Sequence, residues 1–361
     1  MGTNIAAVEI VPVDMALHTP FGIATGAQVV AENAFVRITL DNGVTGTGEA
    51  APFPAVNGET RAQAVDALQQ LVPQLVGRDV AAWRTFANVT RPAPASARCA
   101  VETAVVDALC RHTGMPMAVF FGGATTRVVT DLTITTGTPE QAEEDARALK
   151  ARGFLTIKLK VGGHDVMQDQ QRLGAVARGF PGARVILDAN GGLHTPEDAN
   201  HVLQHASHVG LHVVLFEQPL HKDNRQGLAA LVAQGRVPVA ADESVTCMAD
   251  VLDIAQARLA NVINLKITKC GLVDALDMAV TARALGLGLM VGAMVESPVC
   301  IAASAALAAG LGGVEFVDLD THLWMVDPPV TPGFVQQGPV LDLAGITHGH
   351  GAAFAGPRRS G

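Results

Sequence analysis

Five successive apolar runs in the middle of the chain each end on a charged residue. Thr156-Ile157-Lys158-Leu159-Lys160 ends on lysine, Val185-Ile186-Leu187-Asp188 on aspartate and Val213-Val214-Leu215-Phe216-Glu217 on glutamate. Val239-Ala240-Ala241-Asp242 ends on aspartate and Val262-Ile263-Asn264-Leu265-Lys266 on lysine. Three carboxylates held together repel one another and partly protonate, a conflict that a hard divalent cation removes. Mg²⁺ takes oxygen ligands octahedrally and keeps positions for water or substrate. No Cys or His accompanies Asp188, Glu217 and Asp242, which disfavours Zn²⁺. The pattern nominates these three as ligands of one Mg²⁺ per chain.

Lys158 and Lys160 are two apart on an extended run, so both point to the same face. Lys158 sets a second positive charge beside Lys160 and favours its neutral, basic form near neutral pH. Lys266, on the far side of the carboxylates, is expected to do the same. A carbon next to a carboxylate is a very weak acid, and a cation on that carboxylate stabilises the enolate left by deprotonation. One lysine removes the proton, the other returns one to the opposite face, and the stereocentre inverts.

These side chains need a scaffold that brings strand ends together. From about residue 126, β-rich runs alternate with helical stretches of ten to fifteen residues. The runs are Val129–Thr135, Thr156–Lys160, Arg184–Asp188, Val213–Glu217, Val239–Asp242, Val262–Lys266, Gly288–Val291 and Glu315–Asp318. Eight such units predict an α/β fold with a parallel (β/α)8-type barrel, whose active site lies at the C-terminal ends of the strands. Residues 1–125 read as an α+β unit. It has strands at Ile5–Val11, Ala34–Leu40 and Val44–Glu49, a hairpin turn at Asp41-Asn42-Gly43, and helices near 59–76, 79–89 and 97–113. Residues 126–325 form the barrel, and residues 326–361, rich in Pro and Gly, a C-terminal segment with a polar tail.

The chain has 361 residues, a net charge of −9 and 16% charged residues, which argues against long disordered arms. No basic run suits a phosphate backbone, so nucleic acid is not an expected partner. No apolar stretch reaches membrane length without a Gly or polar break, and no signal pattern opens the chain. The five cysteines lack metal-type spacing. Cys99 and Cys110, eleven residues apart on one helix, would stand roughly 16 Å apart, too far for a disulfide. Reduced, mostly buried thiols and a cytoplasmic location are expected.

Blander readings carry less. An aspartate at a strand end is usually a turn residue, but three on consecutive strands flanked by lysines are not explained that way. His201, His205 and His208 could form a zinc stripe, yet they lack an accompanying Glu and sit away from a strand end, so an ordinary outer helix is expected. Val161-Gly162-Gly163 lacks the spacing of a phosphate loop and reads as a βα turn. Lys269, three residues past Lys266, reads as a supporting residue. A Schiff-base aldolase would not need three carboxylates, and a ligand-binding barrel would not need both lysines.

At these residues the sequence resembles the enolase superfamily, and within it the muconate-lactonising subgroup. Its Lys-X-Lys motif is matched by Lys158-Leu159-Lys160. Its ligand motifs are matched by Asp188-Ala189-Asn190, Glu217-Gln218-Pro219 and Asp242-Glu243-Ser244. A Lys or His base with Mg²⁺ is a known feature of that superfamily. The resemblance implies that residues 1–125 and the C-terminal segment cap the barrel mouth, and that the protein is a homo-oligomer.

Within the subgroup the chain is most similar to dipeptide epimerases, in Asn264–Gly271, Gly292–Ser297 and Asp318-Leu319-Asp320. By that resemblance Asp318 and Asp320 hold the free ammonium of a dipeptide, and Thr135 joins Lys158 among the substrate-binding residues. Two carboxylates on one strand face suit one ammonium. Epimerases of Ala-Glu use an arginine in the early cap loop, whereas Phe21–Val30 contains no Arg or Lys. A hydrophobic dipeptide suits Phe21-Gly22-Ile23-Ala24-Thr25-Gly26 better. A racemase of N-succinyl amino acids, an o-succinylbenzoate synthase or a muconate cycloisomerase would share the metal and at least one lysine. The Asp318/Asp320 pair argues against the last two, whose substrates carry no ammonium.

Overall fold

The computed structural model describes residues 2–23, 26–163 and 166–356. The N-terminal sheet pairs three antiparallel strands, Ile5–Ile23, Gly26–Leu40 and Thr45–Ala50. The first strand runs well past the expected Val11, pairing from Pro12 with Ala34 to Ala16 with Val30 and, after a register shift, Phe21 with Gln28. Its later half alternates apolar residues with Asp14, His18 and Thr19, which hides a strand from a search for apolar runs. Gly43 closes the hairpin with φ 83°, while the Asn42 side chain accepts from the Val44 N–H. Helix Ala95–Thr113 packs directly on the third strand. A Cβ at Gly48 would meet the Ala100 carbonyl oxygen at 2.0 Å, so only glycine fits there.

The predicted helix over 59–76 is Arg61–Leu75, opened by a Thr60/Gln63 capping box. The helix expected at 79–89 is a 3₁₀ turn, Val80–Thr85, followed by the short helix Phe86–Thr90. Asp79 caps the Ala81 N–H, and Ala82 leaves helical geometry at ψ 33°.

The barrel has eight parallel strands in sequence order: Leu132–Ile134, Thr156–Lys160, Arg184–Asp188, His212–Glu217, Val239–Ala241, Val262–Leu265, Gly288–Gly292 and Phe316–Asp318. Ile186, Leu215, Ala240, Val262 and Met290 pack together as a separate buried cluster. The last and first strands meet through Asp131 N–H to Val317 O and Leu319 N–H to Thr130 Oγ1. The expected first strand Val129–Thr135 is two elements. Arg127–Val129 pairs instead with Val340–Asp342 of the C-terminal segment, and only Leu132–Ile134 belongs to the barrel.

The C-terminal segment returns to the N-terminal unit. Phe354 stacks on Phe35, and His350, fully buried, shares a 2.9 Å hydrogen bond with Thr47 O. Asp107 accepts from the Thr47 and His350 N–H groups and from Arg111 Nε, tying strand, helix and C-terminal segment together. Glu49 accepts from Ser297 N–H, and Glu102 from Val273 N–H, each at the start of a barrel helix, so both hold the cap to the barrel. Residues 24–25 of the early cap loop and residues 357–361 of the polar tail lie outside the described residues.

His322 carries a pH prediction. Its Nε2 meets the acceptor Gln336 Oε1 at 2.7 Å and so bears the proton, while Nδ1 is buried without a partner. Burial pushes the imidazole down from 6.5 to about 4. The unfolded chain therefore takes the proton first as pH falls, and stability is lost between those two values. We predict that His322→Gln flattens the fall in Tm from pH 7 to pH 4.5, with about 2–3 kcal/mol at stake. An unchanged slope would show that His322 takes its proton at the same pH in the folded and unfolded states.

Candidate functional site

The second barrel strand carries Lys158 and Lys160 on one face, as period two requires. Asp188 and Glu217 end the third and fourth strands, while Asp242 and Lys266 stand one residue beyond the fifth and sixth. All six are buried, none more than 5% exposed. The second and sixth strands lie four places apart in an eight-stranded ring. Lys160 and Lys266 thus approach the mouth from opposite walls, with the carboxylate strands between them.

Each carboxylate uses its two oxygens differently. One oxygen is pinned by a neighbouring donor: Asp188 Oδ1 by Asn190 N–H at 2.9 Å, Glu217 Oε1 by Asn264 Nδ2 at 2.7 Å, Asp242 Oδ1 by Lys269 Nζ at 2.5 Å. The other faces a lysine of the mouth. Asp188 Oδ2 lies 2.6 Å from Lys160 and 3.0 Å from Lys158, Glu217 Oε2 lies 2.8 Å from Lys158, and Asp242 Oδ2 lies 2.7 Å from Lys266. Glu217 Oε2 is ion-paired yet accepts no hydrogen bond. An all-oxygen donor set with one outward oxygen per carboxylate fits a hard divalent cation.

Burial opposes charge on Asp188, but Lys158 and Lys160 outweigh it and bring its carboxyl down to about 2. Asp242, likewise buried, is held well below the usual carboxylate range by Lys266 and Lys269. Burial and the Asp188 charge push Glu217 up to about 8. Lys158 resists its own burial through Asp188, Asp318 and Glu217 and is raised well above an ordinary lysine. Burial disfavours the Lys266 ammonium, but Asp242 outweighs it and raises the group above an ordinary lysine. Its ion pair with that carboxylate, at 2.7 Å, is the reason.

Asp318 donates charge to the same network, its Oδ2 lying 2.6 Å from Lys158 Nζ. Asp320 Oδ2 accepts from Thr133 N–H at 2.7 Å, and the Oδ1 atoms of Asp318 and Asp320 are buried without partners. Asp131, unremarked in the sequence, completes this group. Among the described residues, Asp131, Asp318 and Asp320 are the one group of three or more acidic, His or Cys side chains whose ligand atoms all lie within 4.8 Å. Asp188, Glu217 and Asp242 are more widely spread, bridged by ammonium groups. Burial and Asp318 drive Asp131 well above the usual carboxylate range, and burial with Asp318 takes Asp320 up to about 7. The His201, His205 and His208 side chains form no such group; His205 bonds Gln170 O.

A narrow cavity lies between Lys158, Lys160 and Lys266, bordered by Thr133, Asn190, Asp318 and Thr321. Its remaining walls are apolar: Phe21, Ile23, Phe53 and Val56 from the cap, Ala293 and Met294 from the barrel. Thr135 does not border it. That residue follows the first strand, its carbonyl accepts from Arg172 Nη2, and it lines a neighbouring cavity near Trp324. Thr133 borders both cavities.

Several supporting residues escaped the sequence reading. Asn190 (φ 44°) accepts from Lys160 and donates to Glu243, while the Gln218 side chain (φ 34°) accepts from the Asp242 and Ser244 N–H groups. Left-handed backbone at a non-glycine residue is a common mark of a functional site. Their place one or two residues after a candidate ligand was the available signal.

Residues 5–122 match the mandelate racemase / muconate lactonizing enzyme N-terminal domain, and residues 141–354 the enolase C-terminal domain-like family. The aromatic dipeptide epimerase of Herpetosiphon aurantiacus is 44% identical over 98% of this chain and 100% of its own length. A solved mandelate racemase/muconate lactonizing protein from the same organism has TM-score 0.94 at 43% identity, covering 98% of this chain and 99% of that one. The dipeptide epimerase of Enterococcus faecalis V583, solved with Mg and L-Leu-L-Tyr, has TM-score 0.92 at 28% identity, covering 97% and 99% of the two chains. With family matches over both parts of the chain and epimerases among its full-length relatives, this protein is an enzyme that belongs to the enolase superfamily.

Proposed function

We propose that this enzyme is a Mg²⁺-dependent dipeptide epimerase that inverts an α-carbon by two-base proton transfer. The reading rests above all on Lys160 and Lys266, which face one cavity from opposite barrel walls with Asp188, Glu217 and Asp242 on the strands between. Bound to those carboxylates, Mg²⁺ would polarise the substrate carboxylate and stabilise the enolate. Lys160 takes the α-proton of one epimer and Lys266 that of the other; in each direction the opposite lysine returns a proton. Lys158, ion-paired with Asp188, Glu217 and Asp318, stays charged and keeps all three carboxylates oriented. Asp318 and Asp320 accept the substrate ammonium with their unpartnered Oδ1 atoms. That feature favours a dipeptide over an N-acylated amino acid or a cycloisomerase substrate.

The cap side chains at the cavity (Phe21, Ile23, Phe53 and Val56) are all apolar. They offer no partner for a glutamate side chain, and a desolvated charge there is costly. A hydrophobic side chain is therefore the expected occupant, and the relatives named for aromatic and hydrophobic dipeptides support that choice. We predict that a panel of L,L-dipeptides with Mg²⁺, read by chiral chromatography, shows kcat/KM at least about tenfold higher for Leu, Phe or Tyr side chains than for Ala-Glu, about 1.4 kcal/mol or more. Equal or better turnover of Ala-Glu would sink the hydrophobic assignment.

A second cation position is favoured by one observation, the 4.8 Å grouping of Asp131, Asp318 and Asp320. It would leave the substrate ammonium without those carboxylates, and it would divert Lys158 from Asp318.

A further inference from the structure

Four lysines reach the carboxylates of the mouth, but they do so in two ways. Lys158, Lys160 and Lys266 meet the outward oxygens, Asp188 Oδ2, Glu217 Oε2 and Asp242 Oδ2. Lys269 instead approaches from behind. It sits in the one-turn helix Ile267–Cys270 that follows the sixth strand, and its side chain is only 4% exposed. Its Nζ donates to Asp242 Oδ1 at 2.5 Å, Asp242 O at 2.7 Å and Asn264 O at 2.9 Å. An ammonium has three protons, so every donor is committed. Asn264, tied to Lys269 through its carbonyl, donates its amide to Glu217 Oε1 at 2.7 Å.

We propose that Lys269 is a positioning residue for cation binding, an inference that rests on assigning Asp242 and Glu217 to the cation. Its ammonium fixes the inner oxygen and the main chain of Asp242 and, through Asn264, braces Glu217. The outward oxygens of both then point into the mouth without further ordering. Lys269 takes no proton from substrate, because all three of its N–H bonds face protein acceptors away from the cavity between Lys160 and Lys266. Its positive charge also remains beside Asp242 when Lys266 turns to the substrate, so the carboxylate is never left without a cationic partner.

The test is Mg²⁺ titration alone, by calorimetry, on wild type, Lys269→Met and Lys269→Gln, with folding of each checked by circular dichroism. The Gln variant keeps one donor toward Asp242 in case the Met variant does not fold. Residues that orient metal ligands typically contribute about 10–100-fold in affinity, and that weakening is expected here. Turnover should return to within a few-fold of wild type at saturating Mg²⁺, because neither base has been touched. A folded variant that binds Mg²⁺ as tightly as wild type overturns the proposal. So does one whose turnover stays lost at saturating Mg²⁺, which would make Lys269 part of the proton transfer. If wild type itself binds no Mg²⁺, the assignment of Asp242 and Glu217 fails first and the role of Lys269 falls with it.

Discussion

Lys266→Ala is expected to lower epimerisation by about 10³-fold or more, since positioned acid–base groups contribute roughly 10²–10⁴-fold each and no other lysine can replace it. Lys269 is three residues away, but its donors are held by Asp242 and Asn264. Lys158 and Lys160 stand on the opposite wall. Lys160→Ala is expected to fall as far, because Lys158, the one lysine on the same strand face, is clamped between Asp188, Glu217 and Asp318. Chiral chromatography of the product mixture checks both. Activity within tenfold of wild type in either variant would mean that the lysine in question is not a base.

Removing the divalent cation is the second large effect. Among the described residues no arginine borders this cavity, so under the proposed mechanism a bound cation would supply most of the enolate's stabilisation. Several kcal/mol are involved, or about 10³-fold in rate at 1.36 kcal/mol per decade. Chelation should abolish turnover, and added Mg²⁺ should restore it. Glu217→Gln should weaken Mg²⁺ binding, because it removes the carboxylate charge whose outward oxygen, Glu217 Oε2, faces the mouth beside Lys158. Asp131→Asn separates the two candidate cation positions. If it leaves Mg²⁺ affinity unchanged while Glu217→Gln lowers it, the cation belongs with Asp188, Glu217 and Asp242. The reverse pattern would move the cation to Asp131, Asp318 and Asp320.

The barrel and its charged strand ends were legible because both have a period. Apolar runs recur at regular intervals, and one ending in Lys, Asp, Glu, Asp or Lys declares its C-terminal end. Features without a period were not legible. Val128 and Leu132 look alike in an apolar run, and only pairing shows that Arg127–Val129 joins the C-terminal sheet. The same uncertainty separates Thr133 from Thr135, where two positions along the chain decide which threonine borders the cavity. Asp131 lies inside the expected strand Val129–Thr135 with nothing to single it out, so its approach to Asp318 and Asp320 emerges only when the first and last strands meet. The charge of Lys266 was not legible, for an electrostatic reason. Its spacing showed which face it occupies, whereas the nearest carboxylate, which sets its charge, comes from a different strand.

Proton exchange in heavy water by the two lysine variants tests the central claim most directly. Each variant would be given Mg²⁺ and, separately, the two epimers of a hydrophobic dipeptide, with deuterium at the α-carbon read by NMR and mass spectrometry. Two opposed bases predict that each variant exchanges one epimer without inverting it, and that the two variants choose opposite epimers. Exchange of both epimers by one variant, or of the same epimer by both, would contradict a lysine on each face.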